Sequence, residues 1–224
     1  MMNNLQAQKT RTWFVCSFTA LNMVLGLMAM FSAAAGLMTL AASCLLGCIV
    51  CDSLDGLLAR KLNANSEFGA QFDSLADMTS FTIASAALGY YWLQANAPQA
   101  ILLGSSALWV VAGATRLARF NVTPYNGHYF QGMPTTAVSG VLAIAYLTLP
   151  HLHWVLGISL FAILAILMVS VFPYVKLTQL RLAPKWCWLL VALLGFINLT
   201  LLFWTIAIAY ICSGPILWAR RRLG

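Results

Sequence analysis

The stretch of residues 52–77 reads DSLDGLLARKLNANSEFGAQFDSLAD. All five acidic residues of the 224-residue chain lie in it, and long apolar segments flank it on both sides. The whole chain is 62% hydrophobic and only 8% charged, whereas about a quarter of the residues of a soluble domain are charged. Too few polar side chains remain to cover a surface in water. The composition therefore predicts one integral membrane domain, a polytopic all-α helical bundle.

Apolar segments of about 20 residues are long enough to cross the hydrocarbon core of a bilayer as helices. Six such segments are predicted to form the core of the bundle: residues 13–33, 36–62, 69–93, 98–120, 134–149 and 154–174. The last apolar stretch, residues 186–218, is too long for one crossing without strong tilt. Two crossings that turn near residues 198–200 would keep Arg220, Arg221 and Arg222 in the cytoplasm, as the positive-inside rule requires. We therefore predict eight transmembrane helices.

The distribution of basic residues predicts how the chain lies in the membrane. The net charge of +7 comes from Lys and Arg at the ends of apolar segments, which is typical of membrane topology and not of nucleic-acid binding. We predict a cytoplasmic segment 1–12, a single transmembrane catalytic domain 13–218 and a basic cytoplasmic tail 219–224. The first apolar segment is long enough to span the bilayer rather than to serve as the core of a signal peptide. The expected location is the inner membrane of the cell, with the acidic residues toward the cytoplasm.

Helical spacing predicts that the aspartates share one pocket. Five residues fall within an arc of about 140° on the second predicted helix, at about 100° per residue: Asp52, Asp55, Gly56, Ala59 and Arg60. Three more follow one ridge of the third predicted helix at i, i+4 steps: Gly69, Asp73 and Asp77. Packing these two faces together would place four carboxylates beside small residues and one arginine.

Four carboxylates this close together repel one another unless cations share them. Oxygen ligands suit hard divalent ions, so the pocket is predicted to bind Mg²⁺, Mn²⁺ or Ca²⁺. Bound metal would neutralise a diphosphate, and one carboxylate could take the proton from an attacking hydroxyl. Structural ion pairs with Arg60, Arg116 or Arg119 are one alternative, although such pairs need no clustering. A metal-ion transporter is another, but the outer halves of the spans lack the polar groups that a conducting path requires.

The fixed positions of this stretch resemble the signature of the CDP-alcohol phosphatidyltransferase family, D-x2-D-G-x2-A-R-x8-G-x3-D-x3-D, and every position is filled. Such enzymes displace CMP from a CDP-linked lipid with the hydroxyl of a small alcohol, by direct in-line attack without a covalent intermediate. The resemblance implies that Asp52, Asp55 and Asp73 hold the metal, and that Asp77 is the general base with a share in metal binding. It also implies a CDP-lipid site, formed by Asp52, Gly56, Ala59, Arg60 and Gly69.

Looser motifs outside this stretch resemble the phosphatidylserine synthases of bacteria and archaea. They are Thr19, Asn22 and Gly26; Arg116, Arg119 and Asn121; and residues 131–134 and 167–170. Asn22 is a polar residue on an otherwise apolar helix and is predicted to contact cytidine, while Arg116 and Arg119 are predicted to bind the serine carboxylate or the lipid phosphate through bidentate hydrogen bonds. An interhelical hydrogen bond of Asn22 and snorkelling of the two arginines are the alternatives. Thr135 and Thr136 depart from the small residues usual after the Gly–Pro turn.

The resemblance implies CDP-diacylglycerol and L-serine as the substrates and a homodimer as the assembly. Choline, glycerol phosphate and inositol phosphate stay open as alternative acceptors, because Arg116 and Arg119 could bind a phosphorylated alcohol. No nucleic-acid partner is expected.

Overall fold

The chain folds into a bundle of helices with one short pair of strands. The computed structural model describes residues 2–64, 66–122, 129–175 and 198–223. The helices are α1 (Met2–Ala34), α2 (Met38–Leu62), α3 (Glu67–Asp77), α4 (Ala84–Leu93), α5 (Gln99–Val122), α6 (Thr135–Thr148), α7 (Trp154–Val169) and α8 (Leu199–Leu223). A π-helix, Met78–Ile83, joins α3 to α4 without a break. Strands β1 (Tyr129–Gln131) and β2 (Pro173–Val175) pair antiparallel, with Phe130 opposite Tyr174.

The lengths and apolarity of these helices are those of a multi-pass membrane protein, as predicted. Four helical stretches are long and apolar enough to cross a bilayer: residues 8–34 of α1, all of α2, all of α5 and residues 200–220 of α8. The shorter helices α6 and α7 are also apolar, and α3, the π-helix and α4 form one continuous helical segment. The count of eight crossings stays a prediction, since residues 186–197 of the seventh lie outside the described residues.

The structure differs from the sequence-based expectation at the end of the sixth predicted span. Helix α7 ends at Val169, although the apolar segment continues to Tyr174. Pro173 disfavours helical backbone at the residue before it and has no N–H for a helical hydrogen bond, so the chain leaves the helix and becomes extended. The resulting three-residue strand pairs with residues 129–131, a β-ladder that the all-α prediction did not include. At the other end of the chain, α1 extends back to Met2 through the polar segment.

Small residues let the helices around the site approach closely. Gly26 of α1 lies against Ser80 of the π-helix, where a Cβ at position 26 would come within 2.8 Å of the Ser80 Cα atom. The Ser80 hydroxyl donates to the Asn22 carbonyl at 3.0 Å, which fixes the π-helix against α1. The π-helix begins directly after Asp77. Since π-helical turns are rare and occur mostly at functional sites, its position indicates that Asp77 lies in such a site.

Candidate active site

Three aspartates from two helices, α2 and α3, bring their carboxylates together. Asp52 and Asp55 of α2 and Asp73 of α3 each offer a carboxylate oxygen, and these oxygens all lie within 4.8 Å of one another. Asp55 is buried, and its Oδ2 accepts a 2.9 Å hydrogen bond from the Thr19 hydroxyl of α1. Two helices thus supply the carboxylates, and a third helix orients one of them.

Asp77 stands beside this group of three. It is the last residue of α3, one helical turn after Asp73, and its side chain interacts with Asp52, Asp73 and Arg116. Its Oδ1 is buried and has no hydrogen-bond partner among the described residues, and the same holds for Asp73 Oδ1. Buried carboxylate oxygens without partners are unfavourable unless a ligand satisfies them. The atoms available to bind a metal here are carboxylate oxygens. The residues present therefore fit a hard divalent cation.

A cavity of about 350 Å³ adjoins the carboxylates. Four of its lining residues are those predicted for the CDP-lipid site: Gly56, Ala59, Arg60 and Gly69. Asp55 and Asp73 also line it, so the cavity and the candidate metal site share a wall. Asp52 and Asn22, the other two residues predicted for CDP-lipid binding, do not line it.

The short connection between α2 and α3 gives this wall its shape. Asn63 ends α2 in the left-handed conformation (φ 50°), which asparagine tolerates better than most residues. Ser66 then caps α3, and its hydroxyl accepts a 3.0 Å hydrogen bond from the Gly69 N–H. The connection therefore reverses the direction of the chain. As a result, Arg60 at the end of α2 and Gly69 at the start of α3 line the same cavity.

Helix α1 supplies a cavity wall that was not predicted as part of the site. Thr12, Cys16 and Thr19 all line the cavity, and Thr19 was assigned only to an outer motif. These small or polar residues recur at i, i+4 and i+7 on an otherwise apolar helix, which places them on one face. This spacing is the feature of the sequence from which a contribution of α1 to the site could have been predicted.

Asn22 lies one turn beyond Thr19 on the same helix and is fully buried. Its backbone carbonyl accepts from the Ser80 hydroxyl and, at 3.4 Å, from the Cys48 thiol. Both polar atoms of its side-chain amide lack a hydrogen-bond partner among the described residues. The interhelical bonds are therefore made by the backbone of Asn22, and a cytidine contact of its side chain stays a prediction.

The two arginines of α5 have different surroundings. Arg116 is buried near Asp77, and its Nη1 donates a long 3.5 Å hydrogen bond to Thr135 Oγ1 at the start of α6.

Arg119 is half-buried and lies at the C-terminus of α7. Its terminal nitrogens donate hydrogen bonds to four backbone carbonyls, those of Met168, Val169, Ser170 and Gln131. The distances range from 3.0 Å to 3.4 Å. Arg119 thus caps α7 and joins it to the turn that precedes α6, while its predicted role as a substrate ligand stays a prediction.

Replacing Arg119 by Ala is expected to lower the stability of the fold by about 1.5–3 kcal/mol, because hydrogen bonds from a charged donor to the last carbonyls of α7 are lost. Differential scanning fluorimetry in detergent would show a lower melting temperature. The matched control is Arg220→Ala, which removes an exposed arginine of α8. An unchanged melting temperature with a raised KM for a substrate would contradict the capping role and favour the ligand role.

Comparison with known proteins gives consistent similarities. Residues 15–213 match the family model described as CDP-alcohol phosphatidyltransferase. Three similar proteins are each named CDP-diacylglycerol–serine O-phosphatidyltransferase. The one from Helicobacter pylori is 33% identical over 175 residues, which cover 73% of this chain and 72% of the relative. The one from Methanocaldococcus jannaschii is 34% identical over 158 residues, or 70% and 71% of the two chains. The one from Mycobacterium bovis is 31% identical over 191 residues, or 74% and 64%.

Proposed function

The chain belongs to the CDP-alcohol phosphatidyltransferase family, and we propose that it transfers the phosphatidyl group of CDP-diacylglycerol to the hydroxyl of L-serine. The products are phosphatidylserine and CMP. The single observation that carries this proposal is the complete aspartate signature, folded so that three carboxylates meet and two of them, Asp55 and Asp73, line a cavity together with Gly56, Ala59, Arg60 and Gly69. A metal-ion transporter is no longer needed to explain intramembrane carboxylates.

In this proposal Asp52, Asp55 and Asp73 hold a divalent cation, Mg²⁺ or Mn²⁺. When bound, the cation neutralises negative charge on the diphosphate of the CDP-lipid. Gly56, Ala59 and Gly69 leave room in the cavity for the CDP group, and the Arg60 guanidinium offers bidentate hydrogen bonds to phosphate. Asn22 is proposed as a contact of the cytidine.

Asp77 is proposed as the general base. Its Oδ1, which has no hydrogen-bond partner within the described residues, can accept the proton of the serine hydroxyl as the serine oxygen attacks the phosphorus atom. The new bond forms between the serine oxygen and phosphorus, and the bond from phosphorus to the CMP oxygen breaks in line with it. Arg116, which interacts with Asp77, is proposed to bind the carboxylate of serine, and Arg119 stays a candidate ligand of the acceptor or the lipid phosphate.

The proposed location is the inner membrane of the cell, with the active site facing the cytoplasm. Arg60 and Lys61 close α2 on the same side as the carboxylates, and the positive-inside rule favours the cytoplasm for this side. A homodimer is proposed for the assembly.

The proposed function is tested by CMP release from labelled CDP-diacylglycerol. Purified protein is supplied with Mn²⁺ or Mg²⁺ and with one acceptor at a time: L-serine, choline, glycerol phosphate or inositol phosphate. We expect CMP release with serine and formation of phosphatidylserine in equal amount, with no release above background for the other acceptors. Release with another acceptor and none with serine would show that the reaction class is right and the acceptor wrong.

A further inference from the structure

The hydroxyl of Thr19 makes a different hydrogen bond from those of other helical threonines in this chain. Thr10, Thr115 and Thr205 each donate to the carbonyl oxygen four residues earlier in their own helix. Thr19 donates instead to Oδ2 of Asp55 on helix α2, at 2.9 Å. The Thr19 hydroxyl therefore serves a carboxylate of the candidate metal site rather than its own helix.

Both partners of this hydrogen bond are buried. Thr19 is 3% exposed and Asp55 is 4% exposed. A hydrogen bond is stronger in such surroundings than at a wet surface, and the terminal torsion of an aspartate side chain is otherwise broad. The bond therefore restricts rotation of the Asp55 carboxylate and so fixes the positions of its two oxygens.

The fixed carboxylate belongs to both the candidate metal site and the cavity. One oxygen of Asp55 lies within 4.8 Å of oxygens of Asp52 and Asp73, and Thr19, Asp55 and Asp73 all line the cavity. The buried Oδ1 of Asp73 has no hydrogen-bond partner in the part of the chain that the structure describes, which leaves it available to a ligand. Since Mg²⁺ demands near-ideal geometry of its oxygen ligands, a bond that fixes one ligand in advance favours binding of the ion.

Helix α1 is held in place by contacts that do not need the Thr19 hydroxyl. One turn further along, the Asn22 carbonyl accepts hydrogen bonds from Cys48 Sγ of α2, at 3.4 Å, and from Ser80 Oγ of the π-helix, at 3.0 Å. These bonds use the backbone of α1, so they remain when the Thr19 side chain is changed. The register of α1 therefore does not depend on the hydroxyl, whose bond to Asp55 can serve the metal site.

We propose that Thr19 is a positioning residue of the metal site, whose hydroxyl orients the Asp55 carboxylate as a ligand of the divalent cation. This inference rests on the proposed function, in which Asp52, Asp55 and Asp73 hold the cation. It makes α1 a functional part of the metal site, although α1 supplies none of these three carboxylates. Thr19 contacts neither the ion nor the reacting atoms and acts through Asp55.

The test compares Thr19→Val, which replaces the hydroxyl by a methyl group of similar size, with Thr19→Ser, which keeps the hydroxyl. Binding of Mn²⁺ to the purified protein is titrated by electron paramagnetic resonance of the free ion. We expect Kd for Mn²⁺ to rise about 10–100-fold in Thr19→Val and to stay close to the wild-type value in Thr19→Ser. The Mn²⁺ concentration that gives half-maximal CMP release should rise by the same factor in Thr19→Val, with kcat at saturating Mn²⁺ unchanged.

The matched control is Thr205→Val, which removes the hydroxyl of an exposed threonine bonded to its own helix α8. This variant should bind Mn²⁺ as the wild type does. The melting temperature of each metal-free variant in detergent reports folding. If Thr19→Val does not fold, Thr19→Ala and Thr19→Ser form a second pair that differs only in the hydroxyl.

Two results would overturn the inference alone. An unchanged Kd in Thr19→Val, with a wild type that binds Mn²⁺, would remove Thr19 from the metal site and leave the proposed function intact. Equal weakening in Thr19→Val and Thr19→Ser would assign the effect to packing of the side chain rather than to the hydroxyl. If the wild type binds no Mn²⁺, the proposed metal ligands fail, and the role of Thr19 fails with them.

Discussion

Replacing Asp73 by Asn is expected to lower the rate of CMP release by about 10³-fold and to weaken the binding of Mn²⁺. Asp73 is the one member of the three converging carboxylates that comes from α3, so its loss leaves only the pair on α2. The amide keeps the size of the side chain and removes the charge that a hard cation prefers. A metal that polarises the phosphoryl group supplies several kcal/mol of stabilisation in the transition state, and about 1.4 kcal/mol corresponds to a factor of ten.

Two measurements are needed, because activity alone would not separate a lost metal from a lost fold. Binding of Mn²⁺ is measured by electron paramagnetic resonance of the free ion, and folding by the melting temperature in detergent. The matched control is Glu67→Gln, which also removes one negative charge from α3 but at an exposed position in its first turn. The assignment of Asp73 would be wrong if both variants bound Mn²⁺ as the wild type does.

The part of the site that lies on α2 and α3 was predictable from sequence because it depends on local geometry. Helical spacing places Asp52 beside Asp55 and Asp73 one turn before Asp77, and the connection between the two helices is only four residues long. The structure brings three of the four aspartates within a common ligand distance and places Gly56 in the cavity beside them.

Contacts between distant segments could not be read in the same way. Thr19 reaches Asp55 across 36 positions, and Arg119 reaches the end of α7 across about 50. Hydrophobic periodicity reports which face of a helix is buried but not which helix it meets. The ladder between β1 and β2 was missed for a related reason, since three residues give too short a pattern and the apolar run before Pro173 continues that of the helix.

No local sequence pattern predicts the π-helix, which follows Asp77 directly. A π-helical turn adds a residue to the turn, so it shifts the register of everything that follows relative to α3. Ser80 and Thr82 are both buried. Ser80 packs against Gly26 of α1 and Thr82 packs against Gly113 of α5, because the glycines have no side chain that would block this close contact. The register of residues 78–83 is therefore set by tertiary packing, which no local propensity encodes.

Replacing Asp77 by Asn is expected to lower kcat by about 10²–10⁴-fold while Mn²⁺ binding changes little. Asp77 lies outside the group of three carboxylates, and its buried Oδ1 has no hydrogen-bond partner in the described part of the chain, so its charge is available for the proton of the acceptor. The amide is nearly isosteric with the carboxylate but cannot accept that proton. KM for CDP-diacylglycerol should stay close to the wild-type value, because the cavity is lined by other residues.

The contrast with Asp73→Asn makes this prediction specific. Loss of a base should affect kcat at saturating metal, whereas loss of a metal ligand should be partly relieved when more Mn²⁺ is added. The Asp77 variant is therefore assayed across a range of Mn²⁺ concentrations, and we expect its rate to stay low throughout. Rescue by added Mn²⁺ would reassign Asp77 to the metal. Full activity without rescue would remove it from the chemistry, and the proton of serine would then have to leave through another group near Arg116.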